Sequence, residues 1–281
     1  MAKVNNSVGI LDTNFGSISL LNQLIKDYPC EHFYYLNDFN RANFDEWSPK
    51  AILEKVKEDI EILKQYNPKL IIVLGNEYIQ FASDYLYNID VRVLDIASII
   101  IKYINENFAK DNIAIVAKEN VIKANIYQKN ISCLHLYSLE SIDLERIVLN
   151  DKVKTGIAFE TTKKAVDTLN RKSVDEVVPL VTNLCLLNTE FKEYLPKASL
   201  LNIGNVISAE VGNCLMAIEA LAYKGKGRVN IIIDQEEDKK VINYLLRCKY
   251  YIKLKKNKEK KARSLKWKNY YQLLKLDLLL P

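Results

Sequence analysis

Five short turns carry the side chains in this sequence that could do chemistry: Asp12-Thr13-Asn14, Asn37-Asp38, Gly75-Asn76-Glu77, Ala117-Lys118 and Val181-Thr182-Asn183. Each follows an apolar run: "VGILDT", "HFYYLND", "LIIVLG", "NIAIVA" and "EVVPLV". Carboxylates, amides and hydroxyls gathered in this way suit the capture of a small polar molecule and the transfer of protons to or from it. Neither G-x-G-x-x-G nor G-x-x-x-x-G-K-[ST] occurs, so a nucleotide-phosphate cradle is not encoded. Cys30, Cys133, Cys185, Cys214 and Cys248 are scattered singly, which argues against disulfides and zinc, and no metal or cofactor is expected. His32 and His135 stand apart from other ligand-type residues and read as satisfied strand residues.

The elements that must hold these turns are legible around them. Besides the five runs above, "VRVLDI" from Val91, "SCLHLYS" from Ser132, "ASLLNI" from Ala198, "RVNIIID" from Arg228 and "YYIKLK" from Tyr250 are short and rich in Val, Ile and Leu, as strands covered on both faces should be. Amphipathic stretches separate them. In "SPKAILEKVKEDIEILKQY", Ser48 is placed to cap a helix, Pro49 to open it, and Ile52, Val56, Ile60 and Leu63 to form its buried stripe. The alternation predicts βαβ units, and about ten strands are more than one doubly wound sheet of this length would carry. The expectation is therefore two smaller α/β domains with mainly parallel sheets. In such sheets ligands bind beyond the carboxyl ends of the strands, where the five turns lie.

The chain of 281 residues is 49% hydrophobic, enough for a substantial core. Its N-terminal stretch lacks a signal-peptide pattern and no apolar run approaches the roughly 18 residues of a membrane span, so the expected location is cytoplasmic. The net charge of +5 is unevenly spread. Residues 1 to 238 sum to −7 and residues 239 to 281 to +12. Lysines with Trp267, Tyr270 and Tyr271 make 253–281 a candidate surface for nucleic acid or anionic membrane, although lysine runs are more often solvated appendages.

Read in order, the strand ends resemble glutamate racemase, of the aspartate/glutamate racemase superfamily. "ILDTNFGS" keeps the Asp12 of the family's D-S-G-V-G-G and has Thr13 for its serine. "YLNDFNRANFD" keeps Asp38 and Arg41, with Phe44 for the family's tyrosine and Asp45 for its glycine. "IYQKNI" and "LLNIGNVISAEV" resemble later family segments, and the similarity runs over roughly residues 7 to 256. It implies two flavodoxin-like α/β domains with mainly parallel sheets and an interdomain cleft, the first of 1–95 plus 205–256 and the second of 96–204, followed by a basic C-terminal extension of 257–281. A small acidic amino acid is the ligand it implies, with Asp12, Thr13, Phe44, Asn76, Glu77, Thr182 and Asn183 around it, and a homodimer is a further expectation.

Catalysis is where the resemblance fails. Moving an α-proton without a cofactor needs a base on each face of the carbon, and the family uses two cysteine thiolates. The matching positions here are Gly75 and Val181. The substrate-binding threonine and serine of T-x-A-T-I-x-S have become Val121 and Ala124. Cys185, if a helix begins near Val181, would lie about one turn away, some 5 to 6 Å, too far for direct proton transfer. Glu77 and Asp45 would repel an acidic substrate and are expected to face solvent. Asp12 suits either residual ligand binding or hydrogen bonds from the amides that follow it. The expected protein is an inactive homologue that retains small-carboxylate binding. The alternatives are an active racemase supplying D-glutamate for peptidoglycan and a regulatory or nucleic-acid-associated protein acting through its tail.

Overall fold

A computed structural model describes residues 7–13, 15–37, 47–169, 171–233, 245–246 and 252–256, the last group by backbone alone. Phe44, Arg41, Asp38, Asp45, Asn14 and the basic extension lie outside the described residues. In chain order the elements are β1 Ser7–Leu11, α1 Leu20–Asp27, β2 His32–Asn37, α2 Pro49–Lys64, β3 Pro68–Val73, α3 Asn76–Tyr87, β4 Arg92–Asp95 and α4 Ile96–Asn107. They continue with β5 Asn112–Ala117, α5 Glu119–Ala124, α6 Ile126–Asn130, β6 His135–Glu140, α7 Ile142–Leu149 and α8 Gly156–Val166. The last are β7 Glu176–Pro179, α9 Asn188–Tyr194, β8 Ser199–Leu200, α10 Ile203–Ala217, β9 Arg228–Ile233 and β10 Ile252–Lys256.

The strands form two sheets, β10-β9-β2-β1-β3-β4 and β6-β5-β7-β8. Mainly parallel pairing was the expectation, and every strand pair among the described residues is parallel. The central strands carry the apolar runs: Val8, Ile10, Leu11 and Leu70 to Val73 are fully buried, as are Ile113 to Val116 in the smaller sheet. No helix among the described residues is long and apolar enough to cross a membrane.

Both sheets share one winding rule. From β1 the chain moves to β2 on one side and then crosses to β3 on the other, and β5, β6 and β7 repeat the pattern. Connections that leave neighbouring strand ends in opposite directions open a crevice between them. The carboxyl ends of β1 and β3 mark one such crevice, and those of β5 and β7 the other.

Local chemistry explains the helix that braces the first sheet. The Ser48 hydroxyl accepts from Ala51 N at 3.2 Å, Pro49 opens α2, and Ile52, Val56, Ile60 and Leu63 are buried. Three local expectations need correction. The strand expected from Ser132 begins at His135, because Ser132 N is drawn to Asn105 Oδ1 at 2.7 Å and Leu134 N joins Asp111 O. The run "VRVLDI" stops at Asp95, whose carboxylate accepts from Ser98 N at 2.8 Å and turns Ile96 into helix. His135 Nδ1 does lie 2.8 Å from Asn112 Oδ1, but the buried Nδ1 of His32 has no hydrogen-bond partner among the described residues.

Candidate functional site

The turn after β1 is built on Asp12. Its carboxylate accepts from Thr13 N and Ser17 N, both at 2.8 Å, and from the Tyr35 hydroxyl of β2. Burial pushes the Asp12 carboxyl up to about 6, while the donors from Tyr35, Ser17 and Thr13 and the charge of Lys118 pull it down. The same burial, with Asp12 beside it, holds the Tyr35 phenol well above its usual range. Of the two roles open to Asp12, the structural one is visible: it ties the turn together.

Leu74 N extends the β3 ladder with a 2.8 Å bond to Leu11 O, and Gly75 then caps α3. A Cβ at Gly75 would stand 2.7 Å from Thr13 Cγ2 and 3.1 Å from Tyr78 Cδ2, so the neighbours have closed over the place a side chain would need. Val181, ahead of the short 3-10 helix Thr182–Leu187, packs toward Gly16, where an added Cβ would lie 3.3 Å from Val181 Cγ1.

The two turns are joined across the cleft. Asn183 N donates to Gly16 O at 3.0 Å, Asn183 Nδ2 to Phe15 O at 2.6 Å, and Ser19 N to Asn183 Oδ1 at 3.0 Å. Thr182 N donates to Ser17 Oγ at 3.2 Å, and the hydroxyls of Thr182 and Ser19 meet at 2.9 Å. Asn76 Nδ2 donates to Leu180 O at 3.1 Å, and Tyr127 from α6 donates to Asn76 Oδ1 at 2.6 Å. The amide and hydroxyl groups nominated for a ligand thus hydrogen-bond to the protein itself.

Glu77 does not face solvent, contrary to expectation. Its side chain is 3% exposed and its Oε1 accepts from Lys118 Nζ at 2.9 Å, while Thr13 Oγ1 donates to Oε2 at 3.4 Å. The cation on Lys118 supplies the reason: a buried carboxylate needs a charge partner, and this one lies across the cleft. Burial works against the charge on Lys118, but Glu77, Glu145 and Asp12 outweigh it and hold the ammonium above its ordinary range. Glu145, on the buried face of α7, accepts from Ser141 Oγ at 2.5 Å. Burial raises its carboxyl, Lys118 and Ser141 oppose that, and Glu77 adds to it.

The walls are Thr13, Leu74, Asn76, Glu77, Ala117, Lys118, Val121, Glu145, Leu180 and Val181. Between them is a space of about 10 Å³, room for about one water molecule. Cys185 is not among them. Its thiol lies 3.5 Å from Leu201 O, and burial pushes it up to about 11, so it stays protonated.

Of the nominated residues, Asp12, Thr13, Gly75, Asn76, Glu77, Val181, Thr182 and Asn183 meet at this junction, and Phe44 is outside the described residues. Sequence reading placed Lys118 in one of the five turns without giving it a ligand, and it did not nominate Glu145 or Tyr127. Lys118 carried a signal, as the cation among the five turns. Glu145 carried a weaker one, a charge on the helix face shared with Leu144 and Val148.

No family model matches the chain. The glutamate racemase of Thermoanaerobacter sp. (strain X514) is 19% identical over 239 residues, which is 82% of this chain and 89% of that protein. Among solved structures, a glutamate racemase isoform from Bacillus anthracis aligns with a TM-score of 0.82 at 19% identity, covering 92% of this chain and 99% of that one. The Thermus thermophilus glutamate racemase in complex with β-chloro-D-alanine aligns with a TM-score of 0.80 at 16% identity, covering 91% and 98%. The fold is the two-domain α/β fold of the racemases that act on acidic amino acids. Glutamate racemases are among the proteins this chain is similar to along most of its length.

Proposed function

We propose that this chain is a glutamate racemase-like protein that does not racemise. The observation that carries the reading is the junction at Gly75 and Val181, where neither position offers a proton acceptor and Thr13 and Tyr78 crowd the place a side chain at 75 would need. Deprotonation from two sides requires bases about 3 Å from each face of a carbon, and hence about 6 Å apart. Glu77 and Lys118 do face each other, but they touch at 2.9 Å, with no gap for a carbon between them. The protonated Cys185 thiol lies outside the cavity walls and is a poor substitute. Purified protein incubated with L-glutamate or with D-glutamate, followed by chiral separation, is expected to return the starting enantiomer alone. Formation of the opposite one, lost in Glu77→Ala or Lys118→Met, would make the chain an active racemase with a different pair of bases.

A further inference from the structure

Lys118 follows β5, and Glu77 sits in the first turn of α3, so their ion pair joins the ends of the two sheets. It lies among the carboxyl ends of β1, β3, β5 and β7, where a fold of this winding holds small ligands. Each oxygen of the Glu77 carboxylate has one donor, an ammonium on Oε1 and the Thr13 hydroxyl on Oε2. Leu74, Val121 and Leu180 wall the space around them. A free carboxylate bound at this point would want the same partners.

We propose that Lys118 anchors a monocarboxylate-binding site whose ligand is built into the chain: the Glu77 carboxylate stands where a free carboxylate would bind, and acetate takes its place when that side chain is cut back. The proposal rests on the reading of a filled, inactive cleft and assigns what fills it. Truncating Glu77 to alanine removes a CH2–COO⁻ group, the skeleton of acetate, so the vacancy has the shape of that ion. Charge favours refilling it. Glu145 and Asp12 also act on Lys118, and an acetate in the gap restores the charge count of the native site without adding to it. Longer acids are disfavoured, because the native cavity beyond the carboxylate has room for about one water molecule.

Thermal unfolding of Glu77→Ala in 100 mM sodium acetate and in sodium chloride of equal ionic strength tests the assignment. Acetate is expected to raise the midpoint by about 2–4 °C over chloride. Formate should do less, and propionate and L-glutamate less still. The wild type should show no difference between the salts, and Glu77→Ala/Lys118→Met should lose the effect. Equal midpoints in the two salts for Glu77→Ala, or the same acetate gain in the wild type or the double variant, overturn the proposal. If Glu77→Ala does not fold in chloride, refolding in acetate replaces the melt: recovery there supports the proposal and no recovery in either salt overturns it. Racemisation by the wild type would instead sink the functional reading, so the two failures are told apart.

Discussion

At position 75 an added Cβ meets Thr13 Cγ2 at 2.7 Å, so a thiol placed there would displace its neighbours. Gly75→Cys is expected to cost about 1–3 kcal/mol in urea unfolding through overpacking. Adding Thr13→Ser, which removes the offending methyl, should recover most of it, and equal stability of Gly75→Cys and the wild type would show that the space is open. Asp12 gives a pH test. Its folded value, about 6, lies above the ordinary 3.8 of an aspartate, so the stability it contributes is full below about 4 and is lost as pH rises through 6. The Tyr35 hydroxyl stabilises the charged form. Tyr35→Phe should therefore cost about 1.5–3 kcal/mol at pH 8 and less at pH 5, where Asp12 takes up a proton without it. A cost that is the same at both pH values would contradict this role. From sequence, Asp12 could be read as ligand or as tie, because its partner Tyr35 comes from the next strand and only the sheet register brings them together.

The strands were legible because each is a short run of branched apolar residues, and all ten runs form strands. Their ends were less so. Asp95 and Asn105 redirect the chain by side-chain hydrogen bonds that hydrophobic periodicity does not register. The connection from α10 into β9 rests on a similar device. Lys69, in β3, pairs with Glu31 at 2.7 Å and donates to Ala220 O at 2.6 Å, while Glu31 accepts from Ala222 N at 2.7 Å. Both side chains are buried. Lys69→Met strands the Glu31 charge and is expected to cost about 3–5 kcal/mol in chemical denaturation. Glu31→Gln on top of it should restore a good part of the loss. A cost below about 1 kcal/mol would mean that water reaches the carboxylate.

Two sheets wound by one rule place two crevices mouth to mouth, and the resemblance to glutamate racemases made that arrangement an expectation from sequence. Closure of the cleft was not legible. It depends on bonds between Ser19 and Thr182, Phe15 and Asn183, Asn76 and Leu180, and Glu77 and Lys118, pairs far apart in the chain that fall into register only after both sheets have formed. Such bonds engage the polar groups nominated for a ligand. Hydrogen–deuterium exchange at the α-carbon reports on this most directly, since a single successful deprotonation leaves a mark even when no net inversion follows. With L-glutamate or D-glutamate in deuterated buffer, the proton signal at the α-carbon is expected to persist at the rate of buffer alone. Its loss in proportion to the concentration of this protein would mean that the cleft opens and holds a working base.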